Sequence, residues 1–244
     1  MGTAKRAFSY NKICKSIMKK ILLVSGCSWS DLKFHSIFHP SMDCSWTKWP
    51  EILADKLNMD CINLSHSGAG QEYIYYTLIE KIMSMNKDDI GLIIPGWSRA
   101  PRRDYQDFDK KFIWTNERWD ARGDMRYFIE RSLRHYFNFQ IFCERFNLPY
   151  KQVQMIELFE RPVFREDRIN GIISRETALK SMMNSLYFKL IDEKNFIGWP
   201  LETKIGGYSM WNKLDQNKHF ISEQDRHPNA EGQKIIAETI YENL

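Results

Sequence analysis

No apolar run in this chain approaches the roughly 20 residues that a membrane-crossing helix needs, and no apolar core of a secretory signal opens it. Glycine and proline are sparse, at 12 and 8 in 244 residues, and neither an internal repeat nor a low-complexity tract is present. The 5 cysteines (Cys14, Cys27, Cys44, Cys61 and Cys143) are odd in number and lack CxxC spacing. That excludes a disulfide framework or a zinc site built on cysteine pairs, and predicts reduced thiols. The GxxxxGK[ST] and GxGxxG phosphate-binding patterns are missing, so a nucleotide-binding protein is not favoured. Together these absences predict a soluble, cytoplasmic protein.

What is present suits a globular α/β protein: 43% hydrophobic, 27% charged and 14% aromatic residues. The net charge of +4 is carried by Lys5, Arg6, Lys12 and Lys15 within an acid-free stretch, residues 1–17. The remainder is neutral, whereas a nucleic-acid-binding domain carries its positive charge on the folded body. The basic cluster from Arg99 to Tyr105 is followed closely by aspartates and reads as a solvated loop. No nucleic-acid or membrane partner is expected, and the oligomeric state is left open. Residues 1–17 are expected to be a basic extension ahead of one domain spanning 18–244, since Met18 directly precedes the strand-like "KKILLVSG".

Short apolar runs alternate with amphipathic stretches. "KILLVSG", "MDCINL" and "DDIGLIIPGW" read as buried strands, and "YKQVQMIEL" as a fourth. "SWTKWPEILADKLN", "QEYIYYTLIEKIMSM", "MRYFIERSLRHYFNFQIFCERFN", "RETALKSMMNSLYFKLIDEKN" and "PNAEGQKIIAETIYENL" read as helices, whereas "GWPLETKIGGYSMWNKLD" reads as loop. This alternation predicts a three-layer α/β/α fold with a mostly parallel sheet. In such sheets, ligands sit beyond the carboxyl ends of the strands. Those loops are "GCSWSD", "SHSGAG" and "PGWSRAPRR".

In the first loop Ser28 follows Gly26 by two residues, so a sharp turn can project its hydroxyl over the sheet edge. A serine needs a neighbouring base to act as a nucleophile. His227, in "EQDRHPNAEG", lies close to an acid and just before the last helix. A serine early in the chain and an acid–histidine pair late in it can form a triad whatever their order.

These blocks resemble the SGNH, or GDSL-like, hydrolases. "GCSWS" resembles the first family block with Cys27 in place of its aspartate, "NLSHSGAG" the second, with Gly68 as its glycine, and "DRHPNAEG" the last. "GCSWS" with a tryptophan-led helix and "NLSxSGxG" also resembles short SGNH-like proteins of marine phages, which would place it in the host cytoplasm. The resemblance implies a flavodoxin-like sheet and hydrolysis of a small acyl ester, on a lipid or an acetylated glycan. It assigns Ser28 as nucleophile, His227 as base and Asp225 as the group that orients the imidazole. The oxyanion donors it implies are the Ser28 and Gly68 backbone N–H groups together with Ser98.

Two departures bear on catalysis. Ser98 stands in "GWSR" where the family has an oxyanion asparagine, with Arg99 as the neighbour able to compensate. Asp225 lies two residues before His227 rather than three, where Gln224 sits. The alternative they raise is a catalytically weak or inactive module that binds carbohydrate or serves a phage structural role. Trp29, Trp97, Arg99 and His66 are the candidates for the substrate cleft. Cys27 is expected to point into the core. His35 and His39 have helical i,i+4 spacing in "HSIFH" but lack a zinc-hydrolase glutamate, so neither a metal nor any other cofactor is expected.

Overall fold

The computed structural model describes residues 19–106, 109, 112–115, 125–159 and 174–244, so the basic extension 1–17 lies outside the described residues. The first strand, β1 (Ile21–Gly26), is buried on both faces, which is why it reads as an uninterrupted apolar run. It pairs in parallel with β2 (Asp60–Asn63) on one side and β3 (Ile90–Trp97) on the other. Beyond the β4–β5 hairpin (Arg103–Gln106 and Phe112–Thr115) the sheet continues with β6 (Gln152–Gln154) and β7 (Phe196–Ile197), both parallel. The order β2-β1-β3-β6-β7 is the doubly wound, flavodoxin-like arrangement.

Strand alternation divides the core into two halves. Leu23 and Ile93 face α2 (Gln71–Ser84), α3 (Met125–Arg145) and α4 (Arg175–Asn184). Leu22, Val24, Leu92 and Ile94 face α1 (Trp49–Lys56), the single turn α5 (Met210–Lys213) and α6 (Ala230–Tyr241). The three-layer α/β/α fold expected from the sequence is the one observed. Cys27 is fully buried in the second half, as expected of it. Among the described residues, no helix is long and apolar enough to cross a membrane.

The local expectations differ from the structure where elements are short. Only Gln152–Gln154 of "YKQVQMIEL" is strand, and the helix expected from Arg175 onward stops at Asn184, giving way to 3-10 turns. The region from Phe196, read as loop from Gly198 onward, supplies the fifth strand and the α5 turn. A strand of two residues has no period to detect. "HSIFH" is not helical, so His35 and His39 are not on one helix face.

The β4–β5 hairpin is fastened to the start of α2. Gly70 stands at the N-cap of that helix and has no side chain to satisfy its first amides. Asp104, from β4, does so instead, accepting from the N–H groups of Gly70 and Tyr73 at 2.8 and 2.9 Å. Burial pushes its carboxyl above the usual value, against the lowering effect of those two hydrogen bonds. Asp104→Ala is expected to cost about 1–2 kcal/mol, the usual range for a lost helix cap, measured as a lower urea midpoint at unchanged m-value.

Candidate functional site

The turn after β1 is set by close packing. Ser30 N–H donates to the Cys27 carbonyl at 2.9 Å, closing a tight turn with Ser28 in its middle. A Cβ at Gly26 would stand 2.7 Å from Ser30 Oγ, so no other residue fits there without displacing the turn. Ser30 Oγ accepts from the Trp49 indole N–H at 2.8 Å, and Gln233 of α6 donates to the Trp29 carbonyl at 3.0 Å. The same Gln233 accepts from the backbone N–H of Trp49 at 2.8 Å. The turn is therefore held from α1 and α6 together, with Ser28 only 7% exposed.

The loop before α6 is folded back on itself. Phe220 and Pro228 form an antiparallel bridge, Ile221 N–H donates to the His227 carbonyl, and Ser222 N–H donates to that of Asp225. Asn229 caps α6 by accepting from Gly232 N–H at 2.9 Å. This brings His227 Nε2 to 2.8 Å from Ser28 Oγ and His227 Nδ1 to 2.5 Å from Asp225 Oδ1. The one-residue departure in spacing is absorbed locally, because Asp225 Oδ1 also accepts from the His227 backbone N–H at 3.2 Å. The Phe34 ring packs on the imidazole, centroids 4.3 Å apart.

The loop after β2 is tied to the Ser28 turn. His66 N–H donates to the Gly26 carbonyl at 3.0 Å, and both Ser67 N–H and Ser67 Oγ donate to Asp31 Oδ2, at 2.8 and 2.7 Å. Gly68 follows at φ +87°, a left-handed conformation that glycine adopts without steric cost. Asp31 was not singled out from the sequence, although its place three residues after Ser28 in "GCSWSD" was a usable signal.

These loops border a cleft of about 870 Å³. Of the cleft candidates, Trp29 and Arg99 line it, along with Ser28, Gly68, Asp225 and His227. Trp97 does not. It is fully buried in the core against Tyr136 and Phe139, and its indole N–H donates to Gln152 at 2.9 Å. The strand runs on through this residue, so alternation turns its ring into the helical layer rather than over the sheet edge.

Ser98 is also absent from the lining. Its carbonyl accepts from Gln71 and Gln154, each at 2.7 Å, and its fully buried hydroxyl has no hydrogen-bond partner among the described residues. Fully buried and outside the cleft wall, it is not placed as the oxyanion donor expected of it. His66 stands beside the cleft rather than in its wall, its ring tilted against Tyr73 with centroids 6.0 Å apart and its Nδ1 4.0 Å from Asp31. Phe34, Phe38, Trp211 and Arg102 are wall residues that sequence reasoning missed. Among the described residues, no group of three or more histidines, cysteines and acids is placed to hold a metal ion.

Comparison with solved structures defines the fold further. TesA superposes with a TM-score of 0.53 at 11% identity, covering 92% of this chain and 98% of its own. The psychrotrophic esterase EstA from Pseudoalteromonas sp., in a form inhibited by monoethylphosphonate, gives 0.51 at 13% identity, covering 92% and 96%. The lipase Lip_vut3 from a goat rumen metagenome gives 0.51 at 13% identity, covering 92% and 97%. The chain shares the α/β fold of these three proteins. No protein-family model and no curated protein sequence matches it.

Charge at Asp225 is favoured against its buried surroundings. Burial raises the Asp225 carboxyl, but hydrogen bonds from the His227 ring, the Ser36 hydroxyl and the His227 backbone outweigh it, leaving it below the usual value. A carboxyl depressed in the folded state adds stability that is fully present above its unfolded value, about pH 4. That stability is lost as pH falls through the lower, folded value. Asp225→Asn is therefore expected to flatten the stability–pH curve below about pH 4, measured by urea unfolding across the acid range.

Proposed function

We propose that this protein is a serine hydrolase that cleaves small acyl esters, with Ser28 as nucleophile, His227 as general base and Asp225 as the residue that orients the imidazole. The observation that carries this reading is the 2.8 Å contact between Ser28 Oγ and His227 Nε2, continued by Asp225 on the other ring nitrogen. A hydroxyl, an imidazole and a buried carboxylate in that sequence are what nucleophilic acyl transfer requires. The shared fold with an esterase and a lipase supports it.

The chemistry runs in two halves. His227 takes the Ser28 proton as Oγ attacks the ester carbonyl. The Ser28 and Gly68 backbone N–H groups donate to the oxyanion that forms. The alcohol leaves with the proton from His227, and Ser28 holds the acyl group. Water, deprotonated by the same imidazole, then releases the acid. The substrate in this reading is an acetylated glycan or a lipid ester, bound in the cleft of about 870 Å³ that has Trp29, Phe34, Phe38 and Trp211 in its walls.

One observation favours a second reading, a binding module without turnover: Ser98, which stands at the asparagine's position, is fully buried and absent from the cleft wall. Removing one oxyanion donor typically costs about a hundredfold or more in rate. Carbohydrate binding that survives Ser28→Ala, with no ester cleavage by the wild type, selects that reading.

The decisive experiment combines p-nitrophenyl acetate turnover with fluorophosphonate labelling, a reagent class akin to the phosphonate found on EstA. Turnover is expected to fall by roughly a thousandfold or more in both Ser28→Ala and His227→Ala, and labelling to disappear in Ser28→Ala. Wild-type protein that neither turns over nor labels would sink the proposal.

A further inference from the structure

The short spacing between Asp225 and His227 has a consequence for the carboxylate. Its Oδ1 serves both the imidazole and the backbone N–H of His227. The other oxygen, Oδ2, belongs to a side chain only 1% exposed and needs a donor from elsewhere. That donor is the hydroxyl of Ser36, which lies 189 residues away in sequence and is itself 1% exposed.

The direction of this hydrogen bond is fixed. Ser36 Oγ accepts from His39 N–H at 2.9 Å, and a serine hydroxyl has a single proton to give. An ionised carboxylate only accepts, so that proton goes to Asp225. A second tie runs in parallel. Ser222 Oγ accepts from Asp225 N–H at 3.0 Å and lies 2.8 Å from His39 Nε2. The segment carrying Ser36 and His39 thus grips Asp225 at its carboxylate and at its backbone. Phe34 of the same segment packs on the His227 ring.

We propose that Ser36 is a positioning residue of the site, holding Asp225 by its outer oxygen so that the inner oxygen stays in line with His227 Nδ1. This rests on the hydrolase reading above. Without the Ser36 hydroxyl the carboxylate keeps only the two hydrogen bonds at Oδ1 and is freer to turn about its side-chain bonds. The imidazole then loses the partner that fixes its tautomer, with the proton on Nδ1 and Nε2 facing Ser28. Depression of the Asp225 carboxyl, to which Ser36 contributes, is consistent with this arrangement.

The test uses the full chain and two independent readouts. The first is the downfield proton resonance of His227 Nδ1–H, assigned by its absence from His227→Gln. It reports the Asp225–His227 contact in the resting protein and needs no turnover. The second is steady-state kinetics on p-nitrophenyl acetate. In Ser36→Ala the resonance is expected to vanish, and kcat to fall about tenfold with KM within twofold of wild type, the pattern of a lost transition-state interaction. Ser36→Cys, which keeps the volume but donates weakly, serves as the second variant if alanine fails to fold, and is expected to weaken both readouts. A role confined to pinning the loop would lower the melting temperature and leave resonance and kcat as they were, which overturns the proposal. A wild type lacking the resonance overturns it too. If the wild type proves inactive, the hydrolase reading fails, and the resonance in the variant alone decides the role of Ser36.

Discussion

A single hydrogen bond between Ser28 and His227 joins two points 199 residues apart. Neither residue belongs to a regular element, so its position depends on how the flanking backbone is restrained. Parallel pairing places the carboxyl ends of β1, β2 and β3 at one edge of the sheet, which brings the Ser28 turn and the Gly68 loop together. His227 comes to the same edge by a different route. The α6 helix packs across α1, and Gln233 hydrogen-bonds both the start of α1 and the Trp29 carbonyl. That buried amide, 2% exposed, couples the Ser28 turn to the helix that follows His227. A buried amide bonded through both its oxygen and its nitrogen favours one geometry, since alternatives leave a donor or acceptor unpaired.

The acid shows the same logic at closer range. With only Arg226 between aspartate and histidine, the loop still presents a carboxylate to the imidazole. It does so through a tight turn in which Asp225 Oδ1 receives two donors from His227. The arrangement is compact, and it also buries the carboxylate almost completely. Burying a charge is costly unless its oxygens are hydrogen-bonded. The Ser36 segment supplies the missing donor, so the non-helical course of "HSIFH" follows from what it must reach.

How much of this is legible in the sequence depends on the range over which each feature is encoded. The central strands declare themselves, because a strand buried on both faces must be apolar at every position. The identities of Ser28, Asp225, His227 and Gly68 are equally visible in their blocks. Trp97 and Ser98 were misplaced for a reason of one residue: β3 runs through Trp97, and the clamp of Gln71 and Gln154 on Ser98 is made by residues far away in sequence. Asp31, Ser36 and Gln233 are ordinary polar residues whose importance arises from contacts 36, 189 and 204 positions distant. No local pattern announces Ser36 or Gln233, whereas Asp31 at least shares the block of Ser28. Trp211 escaped for a different reason, since it sits on a helix of four residues within a segment that lacks period.

The absent asparagine is best understood through what remains at that edge. Ser98 is locked inward, yet Arg99 and Arg102 line the cleft beside Ser28 and Gly68. Their loop is held from α3, where the Arg131 guanidinium donates to the carbonyls of Ala100 and Arg102. An amide dipole must be aimed closely to stabilise an oxyanion, because its field falls steeply with distance. A guanidinium charge decays more slowly, and its effect strengthens where water is partly excluded. On the hydrolase reading, backbone donors at Ser28 and Gly68 supply direction, and the arginines supply field without needing the asparagine's placement. The rigidity that matters then lies in the Gly68 loop, which Asp31 fixes through Ser67, rather than in the loop that follows β3.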